Sequence, residues 1–481
     1  MLQRHSQPIC GQYRPRSHSL LPWRASCSQR GLRCARAAAS DQLYKGKTAI
    51  VVGAGPAGSI AAMMLAKNGF EVEVYERRPE PQLDAVATGR AYIILLIPRG
   101  QAALQRLGIP LPNDDNYKSL GTVRHDSKGK VSVSKEEGNI TFSRTDLAQF
   151  LVDQARARYP DSIHYNFQAT ATQFDIPGRK VTFMTEDGQT VQRSYDLLVG
   201  TDGVGSRVRA ALQDELGLTV DISDSGREYK VYGGLRAELE PPEFAGRKGT
   251  SLHLYTSDDS FTTFTAHSNP DGTYSGTFSL KTGEHEQLIS QAAYESLLRA
   301  KFPSMPQDWV PEVAAQAVSS KASSAGKRVK CSQLHGPGII LLGDAGHAVS
   351  PVFGQGANSA LESGLVLDDV LQACKGDASA VPAAFSQARK EDVHALFWID
   401  AAAFSFFIKK PSTDFFLLAA HVVLGTVLSK LLPFIYGSTP ALLRLGSERY
   451  SVIYSAVRRD AALAVALAAS LSIWLLVRAT Q

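Results

Sequence analysis

The chain has 481 residues, 44% of them hydrophobic and 20% charged. That is ordinary for a globular protein and long enough for two or more domains. Its formal net charge of +5 is concentrated: residues 1–40 hold seven arginines and no acid, and without them 44 basic residues face 46 acidic ones, so no nucleic-acid surface is implied.

Residues 1–40 are rich in Arg and Ser and end in "RCARAAAS". This composition reads as an organelle transit peptide, because the apolar stretch of a secretory signal is missing. The Ser content and the ending favour a plastid, with the mitochondrion as the alternative. Three of the five cysteines lie in this leader, leaving Cys331 and Cys374, so there is no disulfide framework and no dithiol pair.

"KTAIVVGAGPAGSIAAMMLAKNGFEVEVYERR" follows, from Lys47 to Arg78. The β-branched run Thr48–Val52 predicts a strand, Ala57–Lys67 a helix and Glu71–Glu76 a second strand, which together make one βαβ unit. Between strand and helix stand Gly53, Ala54, Gly55, Pro56, Ala57 and Gly58. Gly53 permits a tight turn, Gly55 admits a pyrophosphate to the backbone, and Gly58 lets helix pack on strand. The helix start favours phosphate charge, and Glu76 stands where an acid accepts hydrogen bonds from a ribose.

The middle of the chain is β-rich. "KVSVS", "KVTFMTEDG", "SLHLYTS" and "FTTFTAHSNPDGTYSGTFSLK" alternate every second residue between Asp-Gly turns, which predicts an antiparallel sheet with one exposed face. Within it "DLLVGTDGVGSRVR" ends a strand at Asp202 and Gly203, where a capping aspartate is the simplest reading. From Gly338 the α/β pattern returns. The strand "IILLGD" ends on Asp344, an acid able to hold a ribityl hydroxyl. Pro351 stiffens the following turn, and Gly354, Gly356, Ala357 and Asn358 open a helix expected from about Asn358 to Gln372. His347 reads as a hydrogen-bonded core histidine. Near the end, Phe415–Leu428 is apolar but short, whereas Ala461–Val477 is 17 residues without a charge, flanked by arginines. It predicts a membrane anchor of near-spanning length.

These three motifs, in this order, resemble the FAD-dependent aromatic hydroxylases. The resemblance implies an α/β (α+β overall) architecture: a Rossmann-like FAD-binding domain (46–115, 141–225 and 328–395), an inserted antiparallel β-sheet substrate domain (116–140 and 226–327), and C-terminal helices (396–481). It implies FAD, NADPH or NADH, O2 and a small aromatic substrate, with Pro351 and Gly354 near the flavin ring and no side chain certain as acid or base. Further stretches resemble the kynurenine 3-monooxygenases within that family. "VYERRPEP" is similar to an adenosine-binding strand end and implicates Tyr75, Glu76, Arg77 and Arg78. "GRAYIILLIPRG" implicates Arg90, "FSRTDLAQFL" implicates Arg144, and "GQGANSALESGLVLDDVL" is similar to the family's second helix start. For the substrate the resemblance retains Arg124, shifted by two positions on one strand face, and Tyr436. It lacks a tyrosine between Tyr117 and Tyr159 and has Ala403 about where the family has Asn. The expected substrate is therefore less polar than an α-amino acid.

Metalloprotease, nucleophile-elbow and P-loop patterns are absent from the sequence. The alternatives to an aromatic hydroxylase are a hydroxylase or epoxidase of a lipophilic plastid substrate, a flavin reductase without oxygen transfer, and a flavin-bound membrane scaffold.

Overall fold

A computed structural model describes residues 42–81, 93–259, 261–269, 271–324, 326–407, 412–431 and 446–479. The leader 1–40, Arg90 and Tyr436 lie outside them.

The βαβ unit forms as the sequence dictates. Thr48–Val52 pairs in parallel with Glu71–Glu76 on one side and Leu197–Gly200 on the other. Ile163–Phe167 and Ile339–Leu341 extend the parallel sheet, and His335–Gly336 closes it antiparallel. Covered on both faces, these strands read as continuous apolar runs, and Ile50, Val51, Leu197–Val199 and Ile339–Leu341 are buried. The helix Pro56–Lys67 packs against the helix Gln355–Cys374 at Gly364, where a Cβ would stand 2.3 Å from Ile60 Cγ2. That second helix starts three residues earlier than the sequence suggested, because Gly354 at φ +60 lets the chain enter it directly.

The β-rich middle divides. Lys180–Met184 joins Thr170–Asp175 and Thr190–Ser194 in a separate three-stranded sheet. The larger sheet has seven strands in the order Ser323–Ser324, Arg227–Leu235, Tyr274–Lys281, Thr263–Ser268, Thr250–Thr256, Ser119–His125, Val131–Lys135. It is not wholly antiparallel, since Thr250–Thr256 runs parallel to Ser119–His125. Those two strands come from segments more than a hundred residues apart, so no hairpin joins them and their relative direction is free. The helices Gln291–Lys301 and Trp309–Ser319 cover one face through a core of Tyr232, Phe264, Phe278, Tyr294 and Trp309.

Three long helices end the described chain: Val381–Phe407, Thr413–Leu431 and Tyr450–Ala479. Ile399, Ala402, Leu418, Ile453 and Val457 form their shared core. The expected spanning anchor is corrected here. Among the described residues no helix is long and apolar enough to cross a membrane. The uncharged run continues a helix that starts at Tyr450, and Asp460 beside it is buried against His421 at 2.8 Å.

Candidate cofactor site

Three turns converge at the C-terminal ends of the parallel strands, the place where open α/β sheets bind ligands. In the first, Gly53 has φ +108, and a Cβ there would stand 2.6 Å from the Thr201 carbonyl oxygen. At Gly58 a Cβ would stand 1.8 Å from the Gly53 oxygen. Both glycines are required by packing. Gly55 is not: its φ of −68 suits any residue, and nothing lies within 4 Å of where its Cβ would be. It caps the helix without a side chain, which leaves the Ala57 and Gly58 amides behind Pro56 unpaired by the helix. Glu76 accepts hydrogen bonds from the Ala54 and Arg78 amides, each at 3.0 Å, and so braces the loop. Arg77 and Arg78 are exposed beyond it. Tyr75 is corrected: its ring is buried, stacked on Phe183 and hydrogen-bonded to Glu73, away from the loop.

In the second turn, one Asp202 oxygen caps the helix Arg207–Leu216, accepting from the Arg207 amide at 2.7 Å. The other, Oδ1, is buried with no partner among the described residues, and burial raises the carboxyl pKa. A capping role alone accounts for half of this side chain. Gly203 has φ +82 with open space beside it. Arg209, buried, donates to the Val204 and Ala345 carbonyls at 2.7 and 2.8 Å, which ties the second turn to the third.

In the third turn, Asp344 is exposed, yet its carboxyl pKa is raised by desolvation, with the charge of Arg144 opposing. Both hold for a carboxylate on the floor of an open cleft. His347 is buried and neutral, its pKa lowered to about 3 by burial and then by Arg389, and it accepts from the Gly343 amide at 3.1 Å. Ser350, ahead of Pro351, is fixed to buried Asp400 by two hydrogen bonds of 2.6 and 3.1 Å. Gly354 caps its helix without a side chain, leaving the Gln355, Gly356 and Ala357 amides unpaired by the helix. The Asn358 side chain bonds Ile97 N, Leu95 O and Gly354 O at 2.9–3.0 Å, so it clamps the strand Ile93–Leu96 behind the turn.

Sequence reading missed the braces behind these turns. Tyr450 donates to Gln355 Oε1 at 2.9 Å, and Arg99 lies 3.9 Å over its ring. Buried Arg389 pairs with Glu362 at 2.7 Å. No local pattern marks these contacts, since the partners lie far apart in the chain. Of the two substrate residues only Arg124 lies among the described residues. Arg124 is exposed near the His125 end of its strand, while a cavity of about 350 Å³ opens at the Ser119 end, lined by Tyr117, Thr250 and His267.

The donor set fits FAD. Two helix starts free of side-chain caps suit a pyrophosphate, and the accessible carboxylate of Asp344 suits hydroxyl groups.

Residues 47–381 match the family described as FAD binding domain. A kynurenine 3-monooxygenase of Salinispora arenicola (strain CNS-205) is 30% identical over 379 residues, covering 74% of this chain and 79% of that one. Its counterpart in Sus scrofa is 28% identical, covering 72% and 73%. Violacein synthase of Chromobacterium violaceum is 27% identical, covering 73% and 83%. Two solved structures share the fold. One is pqsL, a probable FAD-dependent monooxygenase from Pseudomonas aeruginosa, with TM-score 0.58, 20% identity and coverage of 76% and 97%. The other is 2-methyl-3-hydroxypyridine-5-carboxylic acid oxygenase, with TM-score 0.58, 21% identity and coverage of 76% and 93%.

Proposed function

We infer the activity from one premise: the chain belongs to the FAD-dependent aromatic hydroxylase family. It is an FAD-dependent monooxygenase, similar to kynurenine 3-monooxygenase, that takes its electrons from NAD(P)H. When bound, FAD supplies the oxygen-activating redox chemistry. The chain's own residues bind and orient. The Ala57 and Gly58 amides would hold the pyrophosphate, Glu76 with Arg77 and Arg78 the adenosine end, Asp344 with Arg144 the ribityl chain, and the Gln355–Ala357 amides the electron-rich edge of the ring. Asp202 would brace the second turn, and Gly203, with open space beside it, would lie nearest the cofactor.

The observation that carries the cofactor site is Gly55, a glycine that neither backbone strain nor packing demands. The test is FAD retention. Asp344→Ala removes a charge-assisted hydrogen bond of about 1.5–3 kcal/mol and lowers FAD affinity tenfold or more. Retention equal to wild type would take Asp344 out of the site.

The substrate is an electron-rich aromatic molecule less polar than an α-amino acid. Ala403 stands buried in the helical tail about where the family has Asn, and Arg124 is exposed on its strand. An unpaired buried carboxylate or ammonium costs several kcal/mol, so kynurenine binds poorly. Coupled hydroxylation of kynurenine at micromolar concentration, abolished in Arg124→Ala, would reverse this assignment. Residues 1–40 direct the chain to a plastid, and a reporter fused to them that enters mitochondria instead would reassign the compartment. Contact with a lipid surface is supported by exposed Phe416, Val423, Val427 and Leu431 on one helix and by Ile473 and Trp474 beside Arg478 on the next. Failure of the full chain to float with vesicles would remove it.

A further inference from the structure

We propose that the cavity of about 350 Å³ between the Ser143 helix cap and the seven-stranded sheet is a second small-molecule site, taking an organic ammonium carried on an aromatic or apolar body. Its body wall is Ile93, Tyr117 and Phe142, and its polar wall includes Asp114, Asp146 and Asp271, with no Lys or Arg in the lining.

His267 points to a ligand independently of those acids. The side chain is 4% exposed and lines the cavity. Its Nδ1 lies 2.9 Å from the Ser268 carbonyl oxygen, which only accepts, so Nδ1 carries the hydrogen. Burial lowers the ring's pKa to about 4, which keeps it neutral. Nε2 is therefore a bare acceptor. It has no partner among the described residues, and the ring lines the cavity. A ligand that satisfies it must donate.

The carboxylates decide the ligand's charge. Asp146 makes no side-chain hydrogen bond or ion pair among the described residues. The Tyr117 phenol pKa is raised by burial and then by the charges of Asp146 and Asp114, which places both carboxylates around the same space. Asp271 holds Thr273 and feels Arg236, so its contribution is smaller. Among the described residues no three acid, His or Cys groups are set to hold a metal ion. An aromatic ring beside carboxylates suits an alkylammonium instead. Ser143 lines this cavity, and Arg144 next to it acts on Asp344, so one residue separates this site from the cofactor floor.

The experiment titrates the purified full-length chain, loaded with FAD, with phenethylamine and with its uncharged isostere 2-phenylethanol, by calorimetry. The amine binds at least tenfold more tightly than the alcohol. In Asp146→Asn that preference falls below threefold while FAD content stays at the wild-type level. Asp114→Asn gives the same reading should the first variant express poorly. Equal binding of amine and alcohol, binding of neither, or a preference indifferent to both substitutions overturns the proposal. A loss of FAD with the amine preference intact would bear on the cofactor assignment and not on this one.

Discussion

The cofactor half and the helical tail are held together by opposite means. In the cofactor half the close contacts are backbone against backbone. Gly53, Gly58 and Thr201 pack where no side chain fits, and Thr201 Oγ1 joins both sides of the turn with bonds of 2.9 Å to Val52 and Gly53. The tail is held by side chains reaching across the chain. Arg99 meets Glu362 and the Glu448 carbonyl, Arg389 meets Glu362, and Arg449 and Ser451 meet Asp392. A turn built from backbone tolerates almost no substitution but needs only a short motif. An ionic clamp tolerates little change at Arg99, Arg389 or Asp392, whose side chains are buried.

The sharpest way to break this comparison is Arg389→Met. Glu362 and Asp392 lose a buried partner, and stability falls by about 3–5 kcal/mol in denaturant titration. A loss under about 1 kcal/mol would mean that the tail is held by its apolar core alone.

In the cofactor half the paired test is Gly58→Ala against Gly55→Ala. The first forces the helix off its strand and costs about 2–3 kcal/mol. The second meets open space and leaves the melting temperature unchanged while lowering FAD content. Equal effects of the two on stability would erase the distinction between a packing glycine and a ligand glycine.

The seam between the two regions responds to pH. Burial pushes the Asp400 carboxyl up to about 6 against its Ser350 hydrogen bonds. An unfolded aspartate titrates near 3.9, so between about pH 4 and 6 the native chain binds more protons than the unfolded one. Stability therefore falls as pH rises through that window, by about 3 kcal/mol, and is flat for this group above it. Asp400→Asn removes that slope in unfolding measured from pH 4 to 7. An unchanged slope would assign it to other groups.

The smallest effect comes from Tyr450→Phe, which deletes only the hydroxyl bonded to Gln355. It costs about 1 kcal/mol of stability and loosens FAD slightly, and the ring's contact with Arg99 persists. Wild-type FAD affinity in this variant would mean that the tail does not brace the cofactor turn.

The sequence by itself determined the βαβ unit, the three turns and the family, because each rests on residues adjacent in the chain. Gly53 to Gly58, Asp202-Gly203 and Asp344 with Gly354 are local patterns with local causes. Only the tertiary structure decided where the side chains of those patterns point. Tyr75 and Asn358 sit inside the motifs, yet strand alternation turns Tyr75 onto Phe183, and Asn358 is drawn to Leu95 and Ile97. It also decided that Asp202 has one capping oxygen and one orphan, and that Thr250–Thr256 runs parallel to its neighbour. The tail shows the limit most plainly. A run of 17 uncharged residues reads as a span, but Asp460 at its edge is buried against His421, a residue 39 positions away. Hydropathy is a property of neighbours in the chain, whereas the partner of a buried charge is a property of the fold.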